Sequence, residues 1–147
     1  MKTLEDIAQF IFKTKRESLS IIPERSQAEQ IIDKLMTSLF GKGCSTNEML
    51  ITSCLATVKK DLTLLIKVCC NSDDRSTESI ADAFFNTLIP VYSILLKDAS
   101  FIEKSDPAAY SMDEVIITYP GFYAIAVHRF AHELYKMNIP YLPRLMS

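Results

Sequence analysis

The two histidines of this chain, His128 and His132, are its first candidates for chemistry. They are four residues apart, which places them on adjacent turns of one helix face. Two imidazoles supply only half of a tetrahedral zinc site. Arg129 also stands where a zinc protease has the glutamate that acts as general base. We therefore expect no metal site and interpret both histidines as structural or interface residues; a metal site completed by outside ligands is the alternative.

The adjacent thiols Cys69 and Cys70 are the second candidate. A redox role requires a lowered thiol pKa, and neither a cluster of cations nor a helix N-terminus is predicted beside them. The other two cysteines, Cys44 and Cys54, complete no Cys-x-x-Cys motif. Four cysteines in 147 residues are also too few for a disulfide framework. We expect reduced, mostly buried thiols in a cytoplasmic protein.

Composition and motifs argue against several further classes of site. The 16 Lys+Arg and 18 Asp+Glu give a net charge of −2, unlike the basic surface of a nucleic-acid-binding protein. Phosphate-binding loops and nucleophile elbows are absent. The longest uncharged runs, 83–96 and 115–127, are shorter than the roughly 18 residues of a membrane-spanning helix. Acids near the N-terminus are unlike a secretory signal. The residues thus predict neither a nucleic-acid nor a membrane partner.

The sequence predicts that consecutive helices position these side chains. Capping patterns start at Thr3, Ser26 and Ser45, each with an acid three residues on. Apolar residues recur at helical spacing behind each cap, and the pattern continues in later segments. The predicted helices cover about residues 4–16, 26–40, 45–70, 77–104 and 120–137. We therefore predict an all-α, multi-helix bundle.

Four local features of this helical pattern leave questions open. Pro90 lies within a long apolar segment and predicts either a kink or two helices that meet. Asp106 directly before Pro107 is typical of a helix N-cap. The β-branched run Val115–Tyr119 is too short to found a sheet. The segment Tyr141–Ser147 reads as the start of another element, which suggests that the chain is truncated.

One helix face predicts an interface. In the last full helix, the centre of the apolar stripe is formed by Tyr123, Val127, Phe130, Leu134 and Met137. Phe122 and Ile125 project outside this stripe, beside His132 and Arg129. Apolar side chains in such a position are usually covered by more protein. We expect a second subunit or another domain there; scattered surface hydrophobic residues are the alternative.

Three strings in the last quarter of the chain carry a resemblance to a known family. They are Asp106-Pro107-Ala108-Ala109-Tyr110, Tyr119-Pro120-Gly121-Phe122-Tyr123-Ala124-Ile125 and His128-Arg129-Phe130-Ala131-His132-Glu133-Leu134-Tyr135. Together they make residues 106–146 resemble the N-terminal helical domain of bacterial serine O-acetyltransferase. Upstream of residue 106 the resemblance is only general.

The resemblance implies an enzyme larger than this chain. Members of the family continue into a left-handed parallel β-helix of hexapeptide repeats, which binds acetyl-CoA and carries the histidines that activate the serine hydroxyl. Nothing between Met1 and Ser147 resembles such repeats. We therefore expect residues 1–147 to be the helical domain, with 1–104 as a bundle and 105–147 leading toward the β-helix. This chain would hold no catalytic residue and no cofactor, and it would be inactive alone.

The same resemblance assigns two substrate-binding residues, Asp106 and Pro107. The Asp106 carboxylate would pair with the ammonium group of L-serine and orient its hydroxyl group. The alternative role for Asp106 is that of a helix N-cap, worth about 1 kcal/mol. His128 and His132 receive no catalytic role.

The resemblance also implies a reaction and partners. The parent enzyme would transfer the acetyl group of acetyl-CoA to L-serine, giving O-acetyl-L-serine for cysteine biosynthesis. It would form a homo-oligomer, and it could bind O-acetylserine sulfhydrylase through a C-terminal tail outside this chain. The alternative function is that of a stand-alone helical interaction module without catalytic activity.

Overall fold

The computed structural model describes residues 2–18, 22–41, 47–70 and 76–147, and every regular element within these ranges is a helix. The prediction of an all-α bundle is therefore confirmed. The helices are α1 (Leu4–Ser18), α2 (Arg25–Phe40), α3 (Glu48–Cys70), α4 (Ser76–Ser105), α5 (Met112–Thr118), α6 (Pro120–Lys136) and α7 (Leu142–Met146). The element expected at Tyr141–Ser147 is the short helix α7.

Hydrogen bonds between residues close in sequence define the starts of α1 and α2. The cap of α1 is the predicted one, and the cap of α2 is not. At α1, the Asp6 N–H donates to Thr3 Oγ1 at 3.2 Å and the Thr3 N–H donates to Asp6 Oδ2 at 2.9 Å, as predicted. The predicted start of α2 at Ser26 is wrong, because the Glu24 N–H donates to Gln27 Oε1 at 2.9 Å and the helix begins at Arg25. The predicted cap Ser45 lies outside the described residues.

Helices α2, α3 and α4 pack in sequence order, α6 lies on α4, and α7 contacts α2, α3 and α6. Helices α2, α3 and α4 each bury one apolar stripe, as the helical spacing predicted. The largest fully buried side chains are Phe84, Phe122, Phe130, Ile31, Ile32, Leu35, Leu62, Ile66, Leu95, Leu134, Leu142 and Val58. The core is thus shared between the N-terminal helices and the segment that carries the family resemblance.

Helix α4 continues through Pro90 as one element of 30 residues, so the alternative of two helices meeting there is wrong. Pro90 is exposed, and the carbonyl group that it leaves without an N–H partner can face water. Within the described ranges, α4 is the one helix long and apolar enough to cross a membrane. A stripe from Thr77 to Ala99 is nevertheless buried in the bundle, and a buried core helix meets the same criterion.

The run Val115–Tyr119 is helical and not extended, since it lies mainly in α5. The Glu114 N–H donates to Ser111 Oγ at 3.1 Å, and Glu114 Oε2 accepts a hydrogen bond from the Tyr110 N–H at 2.6 Å. Ser111-Met112-Asp113-Glu114 is therefore a capping sequence that outweighs the β-branched residues behind it. The helix start expected at Pro107 is wrong for the same reason, because the chain turns first and caps at Ser111.

The expected interface at Phe122 and Ile125 is also wrong. Phe122 is fully buried inside the domain, where its ring meets Phe40 edge to face with 5.7 Å between centroids. Ile125 is half-buried against the same core. Tyr123, placed at the centre of the predicted stripe, is 40% exposed. The buried stripe of α6 is rotated from the predicted one because α4, α5 and α7 all cover this helix.

Ion pairs link the packed helices at their edges. Arg129 of α6 holds Asp98 of α4 through two hydrogen bonds, Nε to Oδ2 at 2.7 Å and an Nη nitrogen to Oδ1 at 3.0 Å. Lys34 of α2 pairs with Asp61 of α3 at 2.6 Å. The two-pronged Arg129 contact fixes the position of α6 on α4 more strictly than a single bond could.

Helix α1 differs from the others because none of its residues is buried. Its apolar side chains face solvent, including Leu4 at 84%, Phe10 at 71% and Phe12 at 63% exposure. Helix α1 thus presents an uncovered amphipathic surface.

Candidate functional site

The carboxylate of Asp106 lies in a tight turn directly after α4. The Asp106 N–H donates to the Ile102 carbonyl at 2.9 Å, which continues the hydrogen bonding of the helix by one residue. Oδ1 accepts a hydrogen bond from the Ala108 N–H at 2.9 Å, and the Ala109 N–H donates to the Asp106 carbonyl at 3.0 Å. Asp106 thus closes a turn on its own side chain, as short carboxylates do.

The second carboxylate oxygen has a partner from another part of the fold. Tyr119 donates its hydroxyl hydrogen to Asp106 Oδ2 at 2.8 Å. Tyr119 connects α5 to α6, so this bond joins the turn after α4 to the start of the helix that carries the histidines. Both oxygens of Asp106 are therefore oriented by the protein.

These two hydrogen bonds change the acidity of both residues. Donation from the Ala108 N–H, followed by donation from the Tyr119 hydroxyl, lowers the pKa of Asp106 below its usual value. The same bond raises the pKa of Tyr119, since loss of its proton would place two anions together. Asp106 is therefore ionised, and Tyr119 neutral, near neutral pH.

The turn remains open to solvent. Asp106 is half-buried, Pro107 and Ala108 are exposed, and Tyr110 is 93% exposed. An ionised carboxylate offers about four lone-pair positions, of which the fold uses two. Pro107 follows Asp106 in the same turn and is exposed, but its side chain provides no polar group. The arrangement can receive an ammonium or hydroxyl group from outside.

Tyr119 is the residue that sequence reasoning missed. It belongs to one of the strings that carry the resemblance, yet no periodicity connects it with a residue 13 positions earlier. The Tyr-Pro-Gly turn was the one available signal, because a turn at that point brings the chain back toward the end of α4.

The histidines do not join this site. Both are exposed on α6, where their rings stack at 6.0 Å between centroids and the His132 ring stacks on Tyr135 at 6.4 Å. Together with Arg144 and Pro143 they line a shallow cleft beside α7. Among the described residues, no three His, Cys, Asp or Glu side chains come together as metal ligands would.

The thiols are not activated. Cys69 is buried and Cys70 is half-buried. Burial, with a smaller contribution from the neighbouring Cys70, raises the pKa of Cys69 to about 11. Burial also raises the pKa of Cys70. A nucleophilic or redox-active cysteine requires the opposite shift.

The fold and the site together define a class: a helical domain that presents one oriented carboxylate and, in its described residues, no assembled catalytic centre. Comparison with curated proteins specifies the class further. The chain is 47% identical to a serine acetyltransferase of Synechocystis over 53 residues, which are 36% of the chain and 21% of that relative. It is 46% identical to the serine acetyltransferase of Bacillus subtilis over 56 residues, 38% of the chain and 26% of the relative.

A third relative is a plasmid-encoded serine acetyltransferase of Synechococcus elongatus, 38% identical over 68 residues, or 46% of the chain and 21% of the relative. No family model matches the chain. The resemblance to serine acetyltransferases is thereby confirmed, over a part of the chain. The chain spans about a fifth to a quarter of the length of these curated relatives.

Proposed function

We propose that this chain is the helical N-terminal domain of a serine O-acetyltransferase and that it contributes Asp106 to the serine site. The whole enzyme would transfer the acetyl group of acetyl-CoA to the hydroxyl group of L-serine, a step of cysteine biosynthesis. Acetyl-CoA would bind outside these residues, and the histidine that acts as general base would also lie outside them. The similarity to several serine acetyltransferases supports the proposal.

The observation that carries the proposal is the orientation of the Asp106 carboxylate. Hydrogen bonds from Ala108 and Tyr119 fix it, keep it ionised and leave lone pairs for an external cation. The ammonium group of serine would be such a cation, and the pairing would hold the hydroxyl group at a fixed distance from the acetyl donor. Orientation of this kind can account for a large part of a rate acceleration.

Asp106→Asn in the complete gene product tests this role. An amide oxygen can still accept the Ala108 hydrogen bond, so the turn remains while the charge is lost. We expect kcat/KM for serine to fall by at least about tenfold, with KM for acetyl-CoA unchanged. Asp113→Asn removes an exposed carboxylate in the first turn of α5 and is the matched control. Unchanged serine kinetics in Asp106→Asn would contradict the proposal.

The isolated chain gives a second test. Residues 1–147 mixed with acetyl-CoA and serine should release no coenzyme A above the uncatalysed rate. Measurable release would show a catalytic group within these residues that our assignment lacks. The buried thiol of Cys69 and the half-buried thiol of Cys70 are consistent with the cytoplasmic location that we propose.

A second candidate function is that of an interaction module, and helix α1 favours it. Its apolar side chains are uncovered, its acids Glu5 and Asp6 lie in the first turn, and its cations Lys15 and Arg16 lie in the last turn. Two copies of α1 in antiparallel orientation would bury these apolar faces and place acids opposite cations. We propose that the chain self-associates in this way, which would suit either a homo-oligomeric enzyme or a stand-alone module.

Sedimentation velocity over a range of concentrations tests the association. Ile7→Asp with Ile11→Asp places charges on the apolar face of α1 and should shift the chain toward monomer. The matched control is Gln9→Asp on the polar face, which should sediment like the wild type. A wild-type chain that stays monomeric up to about 1 mM would exclude the α1 interface.

A further inference from the structure

We propose that Tyr119 is a positioning residue, which fixes the plane of the Asp106 carboxylate and so the direction from which serine can bind it. This inference rests on the proposed function and deepens it. It assigns no contact between Tyr119 and the substrate. The hydroxyl group acts through Asp106 alone.

The backbone of Tyr119 is hydrogen-bonded into the helices on both sides. The Tyr119 N–H donates to the Val115 carbonyl at 3.2 Å, which ends α5, and the Tyr119 carbonyl accepts the Tyr123 N–H at 3.2 Å, which begins α6. The ring is half-buried and packs against the core. The hydroxyl therefore approaches Asp106 from a rigid junction of two helices.

The two hydrogen bonds to Asp106 have different consequences. The bond from the Ala108 N–H is local, and it holds Oδ1 within the turn. The torsion about the Cβ–Cγ bond of an aspartate is broad, so one anchored oxygen leaves the carboxylate plane able to tilt. The bond from Tyr119 to Oδ2 anchors the second oxygen at 2.8 Å and removes that freedom. The directions of the unused lone pairs, one on each oxygen, are then fixed.

Two carboxylates influence the hydroxyl group of Tyr119. Asp106 and Glu114 both act on Tyr119, and both keep its hydroxyl protonated by raising its pKa. Glu114 Oε2 itself accepts a hydrogen bond from the Tyr110 N–H. Near neutral pH Tyr119 is thus a hydrogen-bond donor to an ionised Asp106.

Tyr119→Phe tests the proposal because it keeps the ring and removes the hydroxyl group. In the chain of residues 1–147, carboxyl-carbon NMR titration should show a higher pKa for Asp106 than in the wild type. In the complete gene product, kcat/KM for serine should fall by about tenfold or more. KM for acetyl-CoA should stay constant, and the acid limb of the serine kcat/KM profile should move to higher pH.

Tyr135→Phe is the matched control. It removes a phenol hydroxyl from a residue that is 67% exposed in the last turn of α6. Sixteen residues of helix separate it from Tyr119, or about 24 Å at 1.5 Å per residue. Its Asp106 titration and its serine kinetics should match those of the wild type, and far-ultraviolet circular dichroism should show the same helix content in all variants.

The outcomes separate this inference from the proposed function. An Asp106 pKa that does not change in Tyr119→Phe overturns the positioning role directly. Normal serine kinetics in Tyr119→Phe, with impaired kinetics in Asp106→Asn, overturn the positioning role and leave the proposed function standing. Normal kinetics in both variants overturn the two together. A loss in both variants, with the shifted acid limb in Tyr119→Phe, supports both.

Discussion

Replacement of Phe122 with alanine should destabilise the domain strongly. Phe122 has no exposed surface, its ring packs edge to face on Phe40, and α6 is covered by three other helices. An alanine there leaves a cavity beside Phe40, and the surrounding packed helices cannot move enough to close it. Burial of this kind gives a cost of about 3–5 kcal/mol for Phe to Ala.

This cost is large compared with the whole stability of the domain. Domains have unfolding free energies of about 5–15 kcal/mol, so Phe122→Ala would remove a third or more of a typical value. For a urea dependence of about 2 kcal/mol/M, the unfolding midpoint should fall by roughly 2 M. Phe122→Leu retains most of the buried volume and should lose less.

Urea unfolding monitored by circular dichroism at 222 nm is the assay, at two protein concentrations. Phe101→Ala is the matched control, since Phe101 is 71% exposed on α4 and its loss should change stability by less than about 0.5 kcal/mol. Unfolding of Phe122→Ala within about 0.5 M of the wild-type midpoint would refute the burial of this ring in the core. If the midpoint of the wild type depended on protein concentration and that of Phe122→Ala did not, Phe122 would instead lie in the intersubunit interface predicted from the sequence.

Three further predictions concern the described contacts. Arg129→Lys loses the two-pronged contact with Asp98 and should destabilise by about 1–2 kcal/mol in the same urea assay, because an ammonium cannot reproduce the paired geometry. Cys69, whose pKa is raised to about 11, should react with iodoacetamide at pH 8 about 100-fold more slowly in the folded chain than in urea; equal rates would contradict its burial. Burial and the hydrogen bond to Asp33 raise the pKa of Tyr123 to about 12. The neutral form of Tyr123 thus stabilises the fold below about pH 10, and this contribution is lost as the pH rises from about 10 to 12. In Tyr123→Phe, the free energy of unfolding should therefore fall less steeply over this pH range.

Much of the fold could be predicted from the sequence because helices are encoded locally. The apolar stripes of α2, α3 and α4 recur at intervals of three and four residues, and these residues are the ones that the structure buries. The Thr3 cap uses a side chain three residues from its partner. The signal for the start of α5 is equally local. It is the capping sequence Ser111–Glu114, which the prediction did not use.

The candidate site was predicted only in part. The resemblance pointed to Asp106 and Pro107, and the structure places both on one open turn. The predicted N-cap role of Asp106 was wrong, because the side chain closes its own turn five residues before the next cap. Whether the pair contacts serine stays a prediction until Asp106→Asn is measured.

Helical periodicity by itself determined the existence of the long helices and which face of α2, α3 and α4 is buried. Only the tertiary structure decided that Phe122 is buried while Tyr123 is not, because α6 is covered by several helices and a single apolar stripe cannot describe that. The bond between Tyr119 and Asp106 was decided in the same way. It spans 13 residues and exists because the packing of α5 and α6 against α4 returns the chain to the turn where Asp106 lies.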